Sequence, residues 1–548
     1  MHKTLVSCSC LILSLSIFAQ SPKPAASLNA PERPKLVVGI TVDQMRWDYL
    51  YRFYDRYAAN GGMKRMLNQG FTCDNTLIPY TPTVTACGHT CIYTGSVPAI
   101  HGITGNAWWD NLKSRSVYCT EDDSVKTVGN TGKAGLMSPR NMLVTSVCDE
   151  LKIATNFRSK VIGIAIKDRG AILPAGHSAN AAYWYDSRAG EWISSTWYMN
   201  ELPKWVQDYN AKKVVDKYYD RNWNTLYPID TYVQSTADEK KYEGKTFGDQ
   251  KGFPYDLTRY KEKNYGIIAS TPWGNTMTAE MAREAIIHEQ LGADKITDFL
   301  AVSFSSPDYV GHSFGPNSIE AEDIYLRLDK DLGDLFNFLD SRVGKGQYLV
   351  FLSADHAVAH VPGFSEENKL PGRLLNDDAW RAEMKKQLKE KYGSDKLILS
   401  NANNQIYLNH TLMDSLKVDQ DAVKKWIVSF IGKQKGISRV FALDDLMQVP
   451  LNARIRNMVA NGYYPSRSGD IQIIMEPGWI DGGPTGTTHG AWNPYDAHIP
   501  LLFYGWKIKP GNTNRETHMT DIAATVAALL HLQMPNGCVG EPIQEVLR

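Results

Sequence analysis

The chain has 548 residues, 43% of them hydrophobic, and a formal net charge of zero. That length can bury a large core and admits about two to four domains. Balanced charge removes the electrostatic case for a nucleic-acid partner or a bulk membrane surface, so any anion site must be local.

The N-terminus reads as an export signal. His2 and Lys3 give a short polar start, Leu5 to Phe18 is apolar, and Ile17-Phe18-Ala19 forms a cleavage site before Gln20. Residues 1–19 are therefore assigned to a signal peptide. The apolar run is too short and too interrupted by Ser and Cys to be a membrane span. Leu5-Val6-Ser7-Cys8 has the look of a lipobox, but the apolar run would fall on the wrong side of the cut. Soluble export to the periplasm is preferred to a lipid anchor, and no stable membrane anchor is expected after cleavage. Six cysteines would remain: Cys73, Cys87, Cys91, Cys119, Cys148 and Cys538. An even count in an exported chain permits disulfides, with pairing left open. The absence of any CxxC pair argues against a zinc–thiolate site.

Residues 20–33, rich in Pro, Ala and Ser, read as a flexible leader. Lys35 to Val42 is an apolar, β-branched strand ending at Asp43. Met45 to Met66 then carries apolar and aromatic residues at helical spacing, which predicts a strand–helix unit with a carboxylate at the strand's C-terminal end. In an open α/β sheet that edge is where ligands bind. The stretch Thr81-Pro82-Thr83-Val84-Thr85-Ala86-Cys87-Gly88-His89-Thr90 reads as a loop that becomes a helix near Thr85. A hydroxyl there lies beside free N–H groups and the positive end of the helix dipole, suited to a nucleophile that must meet an anion. In isolation the plain helix cap is the favoured reading of Thr85, and only the Asp and His residues elsewhere in the chain turn it toward a nucleophile.

His101-Gly102-Ile103-Thr104-Gly105-Asn106 is a turn that presents Asn106, whose amide can donate to an anionic oxygen. Ser159 to Ile166 is a second strand, followed by Lys167-Asp168-Arg169. If the extended geometry continues, Lys167 and Arg169 point to the same side and can clamp a dianion. Residues from 180 change character, with Tyr183-Trp184-Tyr185, Trp192, Trp197 and Trp205 crowded together. They read as a cap inserted over the site at about 180–290 and not as a sheet strand. Lys295 to Ser303 returns to strand pattern and leads into Asp308 and His312, expected on a loop or single turn because Pro307 and Gly311 interrupt it. Four-residue spacing lets that carboxylate and imidazole converge on a metal. Gln347 to Ser353 is another buried strand, ending in Asp355-His356. A second insertion is read at about 362–468, a Gly/Thr loop that reads as mobile carries His489, and His498 to Tyr504 is the last core strand.

Strands alternating with helices imply an α/β fold with a mainly parallel central sheet covered by helices on both faces. All strand C-termini then share one rim, which gathers Asp43, Asp308, Asp355 and the loop histidines. Oxygen and imidazole donors without thiolates suit Zn²⁺, and three Asp with three His suffice for two such ions. Two metals about 4 Å apart form a clamp for in-line displacement at phosphorus.

Thr85-Ala86-Cys87-Gly88-His89, Thr94-Gly95, His101-Gly102-Ile103, Asn106, Asp308-xxx-His312, Asp355-His356 and Thr488-His489-Gly490 resemble the nucleotide pyrophosphatase/phosphodiesterase branch of the alkaline phosphatase superfamily. Val42-Asp43-Gln44-Met45-Arg46-Trp47-Asp48 and Lys167-Asp168-Arg169 resemble more narrowly its PafA-type, phosphate-irrepressible alkaline phosphatases. The resemblance implies an alkaline phosphatase-like catalytic domain over 34–548. It implies one zinc held by Asp308, His312 and His489, and a second by Asp43, Asp355, His356 and the Thr85 oxygen. It also implies a phosphothreonine at Thr85, and small phosphomonoesters as substrates. Within the superfamily, Lys167 and Arg169 favour a monoester dianion over a diester. A sulfatase is disfavoured because Cys87 lacks the Cys-x-Pro-x-Arg setting, and the phosphoglycerate mutase branch by Thr85 in place of Ser. Outside it, a non-catalytic exported phosphate- or metal-binding protein remains the alternative.

Overall fold

The computed structural model describes residues 32–375 and 377–548. The expected signal peptide and the expected leader up to residue 31 lie outside them. A ten-stranded sheet organises the rest: β1 (Leu36–Val42), β2 (Phe71–Cys73), β3 (Thr127–Val128), β4 (Val161–Ala165), β5 (Ala181–Asp186), β6 (Glu191–Ser195), β7 (Asp298–Phe304), β8 (Tyr348–Ser353), β9 (Leu501–Gly505) and β10 (Gly511–Thr513). Its order is β10-β2-β9-β8-β1-β7-β4-β5-β6-β3. The five central strands, β8 through β5, run parallel. Antiparallel pairings close both sides, β8 with β9 and β5 with β6.

β1 lies at the centre and every one of its residues is buried. A strand covered on both faces has no solvent side, hence the continuous apolar run instead of alternation. Helices α1 (Gly62–Gln69), α2 (Thr85–Thr94), α3 (Asp168–Ala175), α4 (Pro272–His288), α5 (Ser306–Phe314) and α6 (Ile319–Leu339) flank the sheet. α2 reaches β1 through Gly39, where a Cβ would lie 2.5 Å from the Tyr93 hydroxyl and 2.6 Å from the Phe351 ring. Only a missing side chain lets that tyrosine cross the sheet so closely.

Three expectations need correction. Met45–Met66 is not one helix: a single turn at Tyr49–Arg52 precedes α1, and the Ala-Ala-Asn-Gly-Gly run at 58–62 separates them. Tyr183-Trp184-Tyr185 belongs to β5, inside the central sheet, so the aromatic segment begins as a core strand. Its rings are buried because the sheet covers them, and aromatic residues favour that pleated surface. Third, α4 at 272–288 packs on the sheet, leaving about 196–271 as the irregular excursion.

The second excursion has a small core of its own. Strands Ile398–Ala402, Gln405–Leu408, Ile437–Ala442 and Ile471–Met475 form a separate four-stranded sheet. Met384, Leu388, Val423, Ile427 and Ile471 pack beneath it. Because Ile471–Met475 is the sheet's inner strand, the unit extends past 468 to at least Met475.

Candidate active site

Strand register places the chemistry. Val42 pairs with Phe304, Thr41 with Ser353, and Ser303 with Ala165, so β1, β7, β8 and β4 end at one level. Asp43 follows β1, Asp355 and His356 follow β8, Lys167 follows β4, and Asp308 and His312 follow β7. All four carboxylate and imidazole pieces thus reach the same rim without long loops.

Asp308 and His312 stand on helix α5 and not on a loop. Pro307 occupies its first turn and Gly315 follows it at φ 84. Proline at the start and glycine past the end are helix boundary signals; of the two residues expected to interrupt the segment, Pro307 opens the helix and Gly311 lies inside it. On a helix, four-residue spacing stacks the two side chains on one face. Lys167 and Arg169 also depart from expectation: the extended geometry ends at Lys167, which is the N-cap of α3. Lys167 Nζ lies 2.7 Å from Asp43 Oδ2 and 2.6 Å from Asp308 Oδ2. Arg169 donates to the Tyr118 hydroxyl at 3.0 Å, and that hydroxyl donates to Asp168.

Thr85 opens α2 and is 1% exposed. Its Oγ1 lies 3.4 Å from His356 Nε2. Asn106 Oδ1 accepts from the Ala86 N–H at 2.9 Å, which fixes the amide plane and leaves its NH₂ to donate elsewhere. His89, four residues on, is buried: Nδ1 meets the Thr85 carbonyl at 2.9 Å and lies 3.2 Å from Asp355 Oδ2, and Nε2 meets Ser303 Oγ at 2.7 Å. It holds α2 against the end of β7.

The three remaining histidines share one arrangement. Nδ1 of His312 lies 2.8 Å from Thr487 O, Nδ1 of His356 lies 3.1 Å from Ala357 O, and Nδ1 of His489 lies 2.8 Å from Thr83 O. A carbonyl only accepts, so each Nδ1 carries the proton and each Nε2 keeps a lone pair. Those Nε2 atoms face carboxylates: His312 lies 3.2 Å and His489 3.6 Å from Asp308 Oδ1, and His356 3.6 Å from Asp43 Oδ1. Two groups of donor atoms are close enough to share an ion, Asp308–His312–His489 and Asp43–Asp308–His356. Asp355 adjoins the second, its Oδ2 3.5 Å from His356 Nε2.

The electrostatics fit bound cations. Burial, then Asp355, pushes the Asp43 carboxyl well above the usual range despite Lys167. Its Oδ1 is buried without a hydrogen-bond donor. Burial opposes ionisation of Asp308 too, but His312 and Lys167 outweigh it and hold that carboxyl low. Burial keeps His356 below its ordinary pKa; burial with His356 and His312 does so more strongly for His489. Burial lowers His312 too, but Asp308 outweighs it and raises that imidazole. Imidazole nitrogens directed at carboxylates, beside a buried carboxylate oxygen lacking a donor, are the donor set a borderline metal takes.

Sequence reasoning passed over Gln44. Its N–H donates to Asp355 Oδ1 at 3.1 Å and its Nε2 to Asp308 Oδ1 at 2.6 Å. Adjacency to Asp43 at a strand end was the available signal. Tyr118 and Ser303 gave none, since their roles arise from strands and turns distant in sequence.

Comparisons with known proteins agree with this geometry. The type I phosphodiesterase/nucleotide pyrophosphatase profile matches residues 37–496. Alkaline phosphatase PhoV of Synechococcus elongatus is 54% identical over 538 residues, 96% of this chain and 95% of that one. Alkaline phosphatase PafA of Elizabethkingia meningoseptica is 51% identical over 528 residues, 95% of this chain and 96% of that one. The crystal structure of wild-type PafA superposes with a TM-score of 0.92 at 50% identity, covering 95% of this chain and all of that one. A Myroides odoratus relative named calcium-transporting ATPase is 51% identical over 551 residues, 99% of each chain. Among the described residues here, no helix is long and apolar enough to cross a membrane. The chain belongs to the type I phosphodiesterase/nucleotide pyrophosphatase family and is an enzyme of the alkaline phosphatase type that PafA and PhoV represent.

Proposed function

We propose that the protein is an exported, zinc-dependent phosphate monoester hydrolase that works through a phosphothreonine at Thr85 and releases inorganic phosphate. The observation carrying this reading is the convergence of three imidazole Nε2 atoms on buried aspartates, with the Thr85 hydroxyl 3.4 Å from one of them, that of His356. Asp308, His312 and His489 would hold one ion; Asp43, Asp355 and His356 would hold the other, on the side of Thr85 Oγ1. Two Zn²⁺ bound there supply Lewis acidity for displacement at phosphorus.

The chain's own groups do the rest. Thr85 Oγ1 attacks phosphorus, the bond from phosphorus to the leaving alcohol breaks, and the phosphoryl group rests on Thr85. Water then cleaves the phosphothreonine, freeing phosphate and restoring the hydroxyl. The N-terminus of α2 favours the phosphoryl charge. Asn106 donates to a non-bridging oxygen, with Lys167 and Arg169 meeting the charge that grows there in the transition state. A monoester carries one more negative charge than a diester, so two buried cations favour the monoester.

Two measurements test this. Thr85→Ala removes the acceptor and lowers kcat/KM by about a thousandfold or more while zinc content is retained; turnover close to wild type would move the nucleophile elsewhere. An aryl phosphate should exceed its bis-aryl diester in kcat/KM, and the reverse order would make the enzyme a phosphodiesterase.

A further inference from the structure

Beside the catalytic rim lies a cavity of about 210 Å³ that begins at Thr488 and His489 and runs to the second excursion. One wall is Pro82 and Val84, on the segment that leads into Thr85. The opposite wall is the hairpin of Ile398–Ala402 and Gln405–Leu408. Its two-residue turn, Asn403-Asn404, has both residues at φ 58. Asparagine tolerates that left-handed pair and makes a tight, fixed hairpin end. Asn403 Nδ2 donates to Ala107 O at 3.0 Å, which ties the hairpin to the strand following Asn106. The wall is therefore positioned relative to the catalytic residues and is no free loop.

The lining is polar in a particular way. Asn401 is exposed and Asn404 half-buried, and neither makes a side-chain hydrogen bond among the described residues. Each free amide offers donors and an acceptor together. Trp380 forms part of the floor, 8% exposed, with Arg381 over its ring at 5.0 Å and 3.6 Å from Asp481. Adjacent hydroxyls match such paired donors and acceptors. The size decides further. Drug-sized ligand pockets run from about 300 Å³ upward, so this cavity has room for about one ring.

We propose that this cavity is the leaving-group subsite and that it takes a single polyhydroxylated ring, the sugar of a sugar phosphate or the ribose of a nucleoside monophosphate. The proposal rests on the phosphomonoesterase reading above. A phosphoryl group on its way to Thr85 carries its alcohol along the wall that Val84 and His489 share, into this space.

The test compares three alkyl monoesters of similar intrinsic reactivity: methyl phosphate, ribose 5-phosphate and AMP. In the wild-type protein kcat/KM should favour ribose 5-phosphate over methyl phosphate by about tenfold or more, the order expected from one or two hydrogen bonds. The double variant Asn401→Ala with Asn404→Gly removes both amides, and glycine keeps the left-handed turn. It should bring the ratio of the two kcat/KM values down by about tenfold. AMP matching ribose 5-phosphate identifies the sugar as the recognised part; AMP exceeding methyl phosphate while ribose 5-phosphate does not places recognition on the base and overturns the proposal. A wild-type ratio near one, or a ratio unchanged in the double variant, overturns the proposal. Should that variant misfold, inhibition of methyl phosphate turnover by free ribose in the wild type decides, and no inhibition counts against the subsite. Failure of the phosphomonoesterase reading would show separately, as no methyl phosphate turnover by the wild-type chain, and would remove the subsite's role with it.

Discussion

Gln44 holds a left-handed backbone, φ 65, which costs a non-glycine residue about 1 kcal/mol or more. Its two hydrogen bonds to Asp355 and Asp308 explain why the conformation persists. Gly311 faces it so closely that a Cβ there would lie 1.8 Å from Gln44 Oε1. The amide is therefore confined to a single orientation, and through it the two donor groups are held at one spacing. Gln44→Ala should weaken zinc binding by about 10- to 100-fold, the loss usual for partners that orient metal ligands. A chelator competition assay measures it, and excess zinc should restore most of the turnover. Gln44→Gly relieves the backbone without restoring the amide, so it should bind zinc as weakly as the alanine variant; an affinity equal to wild type in both would reduce Gln44 to a turn residue.

At the scale of elements, α2 docks on the end of β8 through Gly88. A Cβ at that position would meet the Asp355 carbonyl oxygen at 2.2 Å and its Cα at 2.6 Å, and backbone cannot step aside. Gly88→Ala should push Thr85 away from Asp355 and His356, lowering thermal stability by roughly 1–3 kcal/mol as overpacking does and activity with it. Unchanged melting and turnover would mean that the two elements slide freely. In the second excursion, His410 joins Gln420 at 2.7 Å through Nδ1 and Asp470 at 2.7 Å through Nε2. Both partners accept, so the imidazole is held protonated. The hydrogen bond to Asp470 chiefly raises its pKa to about 9. Because the shift is upward, its contribution to stability is complete below about pH 6.5, the ordinary histidine value, and is lost as pH rises through about 9. The ring is partly exposed, so the contribution is small. An NMR titration should place His410 near pH 9 and Asp470→Asn should return it toward the ordinary value; a wild-type midpoint near 6.5 refutes the pairing.

Over the whole molecule, two buried aspartates meet one lysine at the end of the central sheet, with the buried Asp355 at the same rim, and four of the five parallel strands, β1, β4, β7 and β8, end there. Metal should thus stabilise the entire fold. At zinc concentrations a hundred times Kd, linkage adds ~2.7 kcal/mol. Exhaustive chelation should lower Tm and abolish phosphatase activity, and added zinc should restore both. An unaltered Tm on stripping would show that the fold does not depend on the ions. The six described cysteines are free thiols, five of them buried. Burial pushes their thiols up, Cys119 to about 12, which keeps them protonated and inert at neutral pH.

Local chemistry made part of this legible without coordinates. Buried parallel strands show themselves as unbroken apolar runs, so β1, β4, β7 and β8 and the polar residues just past them could be read directly from the chain. The helix start at Thr85 was visible for the same reason: a loop with proline, then small residues. What stayed hidden depended on neighbours far apart in sequence. Pro307 and Gly315 bound a helix only because β7 delivers the chain onto a packed surface there, and the aromatic run at 183–185 becomes a core strand only when β4 lies beside it. Lys167 meets Asp43 and Asp308 because register brings three strand ends level, and no spacing along the chain encodes register. Pattern along the chain carries burial and period, whereas partnership between strands is settled by packing the whole sheet at once.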